Sequence, residues 1–358
     1  MSLNSYVTMG RSGLRVSPFT LGTMTFGEDW QLGSSPEEAK DVLAAYIDRG
    51  GNSLDTANLY TNGHAEKIVG DYLESRPGLR DRLVIGTKFF GNLHLGDPNG
   101  GGAGRKGITH QLEDSLRRLR TDYVDIYWLH NYNPRNPIDE TMRTLDDLVS
   151  AGKIRYVGMS DLPAWRFTEA SVLANFRGWA PVTAVQLEYS LLERTAEGEV
   201  IPAAEAFGAG IMPWSPLRSG RLSGTYGSDR PVPDTIKTTM MGMPTDTEFR
   251  VIDAVNEIAD EAGVSSAQIA LAWVRGRRAV TSTIIGARTL RQLEANLASL
   301  DVQLSEDHRK RLDEVSEPQL SFPASVNRLA AAMEFGGSTV DGRAHDVFPP
   351  LAGNPTRY

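Results

Sequence analysis

Arg82-Leu83-Val84-Ile85-Gly86-Thr87-Lys88 and Tyr123-Val124-Asp125-Ile126-Tyr127-Trp128-Leu129 flank an amphipathic run at 109–119, and a second such run at 139–150 leads into Ile154-Arg155-Tyr156-Val157-Gly158. The short segments are dense in β-branched and aromatic residues and read as strands, while the runs between them carry helical periodicity. The alternation extends both ways. Upstream, Phe19-Thr20-Leu21-Gly22 and residues 52–55 are strands. The helix between them opens at Ser35-Pro36-Glu37-Glu38 and stops at Gly50-Gly51, a capping serine, early proline and acidic first turn. A helix at 65–73 follows. Downstream, strands at 182–187, 210–214 and 279–285 alternate with helices at 163–175, 200–209, 247–262, 265–275 and 290–300.

Eight strands, each followed by helix, with no Pro/Ser linker between them, predict an α/β protein: a single (β/α)8 TIM barrel. A β-hairpin over 8–15, turning at Arg11-Ser12-Gly13, precedes it. Residues 91–107 and 215–246 are too long for plain connections and read as loops on the active-site face. The expectation is one unit over 1–358. Its core spans about 14–318, and the tail 319–358, carrying Phe322 and Phe348, packs near that face.

The 358 residues, 40% of them apolar, suffice for a large core. A formal net charge of −8 speaks against a nucleic-acid surface, and no apolar run is long enough to span a membrane. The N-terminus has no basic segment leading into an apolar one, so no signal peptide is expected and the location expected is cytoplasmic. Cysteine is absent, and the six histidines show no paired metal-ligand spacing, so no metal is expected. Gly102-Ala103-Gly104-Arg105-Lys106-Gly107 matches GxGxxG, but a dinucleotide fingerprint follows a strand directly. Here more than a loop's length separates the glycines from Lys88, so the stretch reads as loop.

Chemistry gathers at strand ends. Asp55 ends the second strand, Tyr60 follows in Thr56-Ala57-Asn58-Leu59-Tyr60, Lys88 ends the third strand and His130 follows the fourth. In a barrel these ends converge. An ammonium beside a tyrosine hydroxyl lowers its pKa, and a carboxylate keeps that ammonium charged. A neutral imidazole can orient a carbonyl oxygen while tyrosine supplies a proton. The set suits acid–base chemistry at C=O or CH–OH and needs a separate source of electrons.

At these residues the chain resembles the aldo-keto reductases, from about residue 14 to about residue 300. The motifs that carry the likeness are Leu21-Gly22-Thr23-Met24, Asp55-Thr56-Ala57-Asn58-Leu59-Tyr60, Gly86-Thr87-Lys88, and Ser115-Leu116-Arg117-Arg118-Leu119-Arg120-Thr121-Asp122-Tyr123-Val124-Asp125 with His130. Gly152-Lys153-Ile154-Arg155-Tyr156-Val157-Gly158-Met159-Ser160, Trp214-Ser215-Pro216-Leu217 and Ile285-Gly286-Ala287-Arg288 complete it. The resemblance implies a metal-free NADP(H)-dependent barrel oxidoreductase, with NAD(H) as the alternative cofactor. Asp55, Tyr60, Lys88 and His130 match its catalytic tetrad: hydride passes from nicotinamide C4 to a carbonyl carbon and Tyr60 protonates the oxygen.

It also implies a cofactor site. Gly22, Thr23 and Met24 lie beneath the cofactor, together with the tetrad's Asp55. Ser160, Asp161 and Gln186 take the carboxamide, and Trp214 stacks on the nicotinamide. Ser215, Pro216, Leu217 and Ser219 wrap the pyrophosphate, and Gly286, Arg288, Gln292 and Asn296 hold the adenosine and its 2′-phosphate. Two positions depart from the family. Asp161 stands where many members have Asn, and Thr225 stands where many have a phosphate-directed Lys. The partner expected is a small-molecule carbonyl or alcohol. Alternatives within the resemblance are a sugar or nucleotide-sugar ketoreductase and a cofactor-binding regulatory subunit. Met24, Phe26, Trp30, Phe89 and Phe90 are candidates for an apolar substrate wall, with core packing the other reading for the two last.

Overall fold

Strand periodicity explains the architecture. In the strand Val124–Leu129, Ile126 and Trp128 point one way while Tyr127 and Leu129 point the other, and both pairs are buried. A strand buried on both faces needs a covered parallel sheet. The computed structural model, which describes residues 1–232, 239 and 242–353, provides it. A hairpin, β1 (Val7–Thr8) and β2 (Arg15–Val16), is followed by eight barrel strands. These are β3 (Phe19–Gly22), β4 (Ser53–Asp55), β5 (Val84–Phe89), β6 (Val124–Leu129), β7 (Ile154–Ser160), β8 (Val182–Glu188), β9 (Gly210–Trp214) and β10 (Thr283–Gly286). They lie in the order β10-β3-β4-β5-β6-β7-β8-β9, all parallel. Ile211 bridges to Val280, bringing the two ends of the sheet together. The chain is a (β/α)8 barrel.

The helices that cover the sheet are α1 (Pro36–Asp48), α2 (His64–Glu74), α3 (Arg105–Leu119), α4 (Ile138–Ser150), α5 (Ala164–Arg177), α6 (Val200–Phe207), α7 (Asp246–Ala262), α8 (Ser266–Arg275) and α9 (Leu290–Ala298). Ser35 starts α1 with a capping box closed by Glu38, satisfying amide groups that the helix itself leaves unpaired. The stretch 102–107 is no nucleotide fingerprint: its last residues, Arg105 to Gly107, form the first turn of α3. A Cβ at Gly107 would lie 2.4 Å from the Gly101 carbonyl oxygen, so glycine lets the helix press on the loop before it.

Two cores result. One fills the space between sheet and helices. The other, Val84, Ile126, Trp128, Ala184, Met212 and Ile284, fills the barrel, and Met9 and Val16 of the hairpin join it from below. Phe26 and Phe89, candidates for the substrate wall, are fully buried in the outer core, Phe89 against Tyr127 with ring centroids 4.7 Å apart. They are not wall residues, because β5 alternation turns Phe89 outward beneath the helices. In the tail, Ala324 lies against the loop after β8, where a Cβ on Gly198 would sit 3.2 Å from its own. Residues 233–238, 240 and 241 of the 215–246 loop and 354–358 of the tail lie outside the described residues.

Trp128 occupies the space left by two glycines. A Cβ on Gly158 would meet its ring at 2.2 Å, and one on Gly86 would meet its indole nitrogen at 2.6 Å. Gly158→Ala is therefore expected to overpack the barrel and destabilise it by about 1–3 kcal/mol. Urea denaturation should show a lower midpoint with an unchanged slope, and an unshifted midpoint would refute the packing account.

Candidate active site

Parallel strands in register bring their C-terminal residues to one level. Gly22 pairs with Asp55, Lys88 with Trp128, and Ser160 with Gln186. Lys88, at the end of β5, has no exposure to water. Its ammonium donates to Asp55 Oδ2 at 2.6 Å, to the Thr56 carbonyl at 2.9 Å and to the Tyr60 hydroxyl at 3.0 Å, so all three protons have acceptors. Burial pulls its pKa down, but Asp55 and Tyr60 prevail and hold it above the ordinary lysine value. The other Asp55 oxygen accepts from Gln186 Nε2 at 2.8 Å.

Tyr60 opens a short 3-10 turn in which Thr61 and Asn62 are left-handed, with φ of 45° and 58°. Thr61 anchors this turn. Its hydroxyl donates to the Phe26 carbonyl at 2.7 Å and accepts from the Ala65 amide at 3.0 Å. The rings of Tyr60 and His130 meet edge to face, with centroids 5.7 Å apart. Burial holds the Tyr60 hydroxyl above the usual tyrosine value of about 10, with the Lys88 charge pulling the other way. The expected net lowering by the ammonium is thus corrected, because desolvation of the phenolate outweighs it. Burial first, and then Lys88, lower His130 to about 3. Its imidazole is neutral, and Nδ1 is buried with no hydrogen-bond partner among the described residues. These four residues therefore combine a carboxylate, a charged donor, a protonated phenol and a neutral ring.

The other expected residues distribute around the same mouth. Thr23 donates to the Asp55 carbonyl from both amide and hydroxyl, and half-exposed Met24 follows it. Asp161, left-handed at φ 54°, accepts from the Trp214 indole at 3.0 Å and from Ser160 at 3.2 Å. Beyond Trp214, Ser215, Arg218 and Ser219 all have positive φ, Pro216 and Leu217 lie between them, and the Ser219 amide donates to Ser215 Oγ. Across the barrel, Asn296 donates to the Gly286 carbonyl and Gln292 accepts from the Arg288 amide. Arg288 is exposed and has no carboxylate partner among the described residues. A Cβ on Gly286 would touch nothing within 4 Å, leaving the end of β10 open. Among the described residues Thr225 bonds only within its own loop, to Ser223.

Of the wall candidates, Trp30 reaches the site, its ring edge-on to Tyr60 at 6.4 Å. The His64–Asp29 pair at 2.9 Å ties the loop bearing Trp30 to the start of α2. Gln111, which sequence reasoning passed over, is buried on α3. Its Oε1 accepts from Asn58 and from the Phe90 amide, and its Nε2 donates to the carbonyls of Gly102 and Gly107. Phe90 is held at φ 120°, a conformation costly for a side chain of its size. The signal was present: Gln111 is a polar residue on the stripe formed by Ile108, Leu112, Ser115 and Leu119.

Comparison with known proteins places this site in a family. The model of the aldo/keto reductase family matches residues 18–317, and the chain belongs to that family. It is similar to the norsolorinic acid reductase stcV of Emericella nidulans, with 35% identity covering 87% of this chain and 81% of the relative. It is also similar to the probable aryl-alcohol dehydrogenase AAD4 of Saccharomyces cerevisiae, with 32% identity over 81% of this chain and 91% of the relative. A probable voltage-gated potassium channel subunit beta of Oryza sativa is 36% identical over 83% of this chain and 91% of its own length. Family and relatives together make the chain an oxidoreductase of the carbonyl-reducing kind.

Gln111→Leu keeps the volume but leaves the Phe90 amide, and the one Asn58 Nδ2 proton not held by the Gly91 carbonyl, without an acceptor. Each such orphan costs about 1–3 kcal/mol. The variant is expected to melt at lower temperature and to be cleaved faster by protease within 91–104. Unchanged melting and cleavage would show that the glutamine does not hold this loop.

Proposed function

We propose that the chain reduces an aldehyde or ketone to its alcohol using NADP(H), with Tyr60 as the general acid. The contact of Lys88 Nζ with the Tyr60 hydroxyl carries this reading. The ammonium favours the phenolate left after proton transfer, while burial keeps the phenol protonated beforehand. Asp55 holds the ammonium in place and charged. Neutral His130 orients the carbonyl oxygen toward the phenol without competing for its proton. A nicotinamide supplies the hydride when bound. The barrel itself, with its tail, we take as one unit working at this mouth.

The residues present fit such a cofactor. Left-handed backbone at Ser215, Arg218 and Ser219 is a costly conformation of the kind that cradles phosphate oxygens, with Pro216 and Leu217 in the same wrap. Ser160, Asp161 and Gln186 take the carboxamide, Asp161 accepting from its amide group, and Trp214 gives its ring face. Gly22, Thr23 and Met24 form the floor. Gly286, Gln292 and Asn296 border the open end of β10, and unpaired Arg288 takes the 2′-phosphate. Loss of the family lysine at Thr225 makes this preference rest on Arg288. Trp30 and Met24 give the substrate side an apolar border, so an aromatic aldehyde is the first substrate to test. A sugar carbonyl is the comparison. A regulatory role, as the name of the Oryza relative suggests for that protein, needs no proton donor, and the complete tetrad favours the enzyme.

Tyr60→Phe is expected to lower kcat for carbonyl reduction at least a thousandfold, about 4 kcal/mol of barrel-mouth acid catalysis, while NADPH still quenches tryptophan fluorescence with nearly unchanged Kd. Retained turnover would sink the assignment. In the same titration Arg288→Ala should weaken NADPH much more than NADH, and equal losses would move Arg288 away from the 2′-phosphate.

Neutral His130 and protonated Tyr60 also set the pH dependence. His130 gains a proton only near pH 3, and Tyr60 loses its own only above its ordinary value. Reductive kcat/KM is therefore expected to stay level from about pH 5 to about pH 9. A limb near pH 6.5 that disappears in His130→Gln would contradict a neutral, depressed imidazole.

A further inference from the structure

Outside the proposed active site, one cluster combines the right ligand types in the right positions for a metal ion. His110 and Asp114 stand one turn apart on α3, and His94 reaches them from the loop before that helix. His94 Nε2 lies 2.9 Å from Asp114 Oδ2, and His110 Nε2 lies 4.0 Å from Asp114 Oδ1. The two imidazole rings are 4.7 Å apart at their centroids and tilted by 39°. All three ligand atoms fall within 4.8 Å of one another.

We propose that His94, His110 and Asp114 bind a divalent transition-metal ion of the zinc type, cross-linking the β5–α3 loop to helix α3. Zinc–nitrogen and zinc–oxygen bonds of about 2.0–2.2 Å in a tetrahedron place ligand atoms about 3.4 Å apart. The present spacings lie on both sides of that value, so small side-chain rotations close the site. Both histidines are half-exposed and free to make them, while the Asp114 side chain is only 11% exposed and fixes the position. Two imidazoles and one carboxylate select zinc, nickel or copper over magnesium and calcium, which prefer all-oxygen sets. Water completes the coordination.

Positive charge opposes the ion: Lys67, Arg117, Arg118 and Arg120 line a hollow with Asp114, and Arg117 is the one on its carboxylate. The Arg117 guanidinium sits on Asp114 Oδ1 from the next turn of α3. Its side chain is 71% exposed, so it can leave without losing packing. The loop that the ion would pin is the one whose ends are held at Asn58, Phe90 and Gln111, beside Lys88. The proposal stands apart from the reductase reading, since none of its three ligands belongs to the tetrad.

The test is calorimetric titration of the chelator-treated full chain with Zn2+, free of cofactor and substrate. One ion per chain is expected. His94→Ala and His110→Ala should each weaken it by at least about tenfold, and Arg117→Ala should tighten it by removing the competing cation. His308→Ala, whose ring pairs with Glu261 elsewhere, should bind as the unaltered chain does. Zn2+ should also raise the melting temperature of the unaltered chain and slow proteolysis within 91–104, with neither effect in the double histidine variant. Binding that survives both histidine substitutions, or no binding at micromolar Zn2+, would overturn the proposal.

Discussion

An ammonium group with no access to water governs this structure. Removing such a charge from solvent costs several kcal/mol unless every proton finds an acceptor and an opposite charge lies at hand. Lys88 meets that condition with three acceptors: a carboxylate, a backbone carbonyl and a phenol. Only a fold that brings neighbouring strand ends and the loop after one of them to a single point can supply all three. The register of β4 against β5 pairs Asp55 with Gly86, two positions before Lys88, close enough for the ammonium to meet the carboxylate, and Gln186, from the far side of the barrel, steadies the second carboxylate oxygen. Breaking this network at Asp55 would leave a buried charge unpaired, so stability and the proposed chemistry rest on the same atoms.

Strain is concentrated around that point. Among the described residues, eight of the ten non-glycine ones with positive φ lie in loops that follow barrel strands: Gln31, Thr61, Asn62, Phe90, Asp161, Ser215, Arg218 and Ser219. Such conformations persist only where the surroundings hold them. Here the holders are visible. Thr61 is fixed through Phe26 and Ala65, Phe90 through Gln111, and Asp161 through Trp214 and Ser160. The opposite end of the barrel, plugged by Met9 and Val16 of the hairpin, carries one such residue among those described, Arg120 at the end of α3. One rim of the barrel is thus built for stability and the other for precise placement of polar groups.

The electrostatics follow from burial as much as from charge. Lys88 stays protonated because its partners outweigh desolvation, Tyr60 because the phenolate would be desolvated, and His130 stays neutral for both reasons together. Pairwise reasoning along the chain captured the attraction between ammonium and phenolate but not the larger desolvation, which depends on how deep the group lies. The wall residues teach the same lesson. Trp30 and Phe26 are four positions apart in one loop, yet one borders Tyr60 and the other is buried in the outer core.

Alternation of apolar runs and amphipathic runs was enough to determine eight strands, their parallel order and therefore which residues share the rim, because strand period and right-handed crossovers leave a barrel little freedom. Asp55, Tyr60, Lys88 and His130 were legible for the same reason: strand ends are local features. For Gln111 only its place on an apolar stripe was local; its four hydrogen bonds reach residues 4 to 53 positions away, and no local pattern encodes a polar hub of that reach. Nor was the meeting of His94 with His110 and Asp114 legible, since it depends on how a sixteen-position stretch folds back on its helix. Sequence determined the fold and the types of group at its rim, while tertiary structure decided their protonation and their neighbours, because depth from solvent and contact across loops are properties of the packed chain alone.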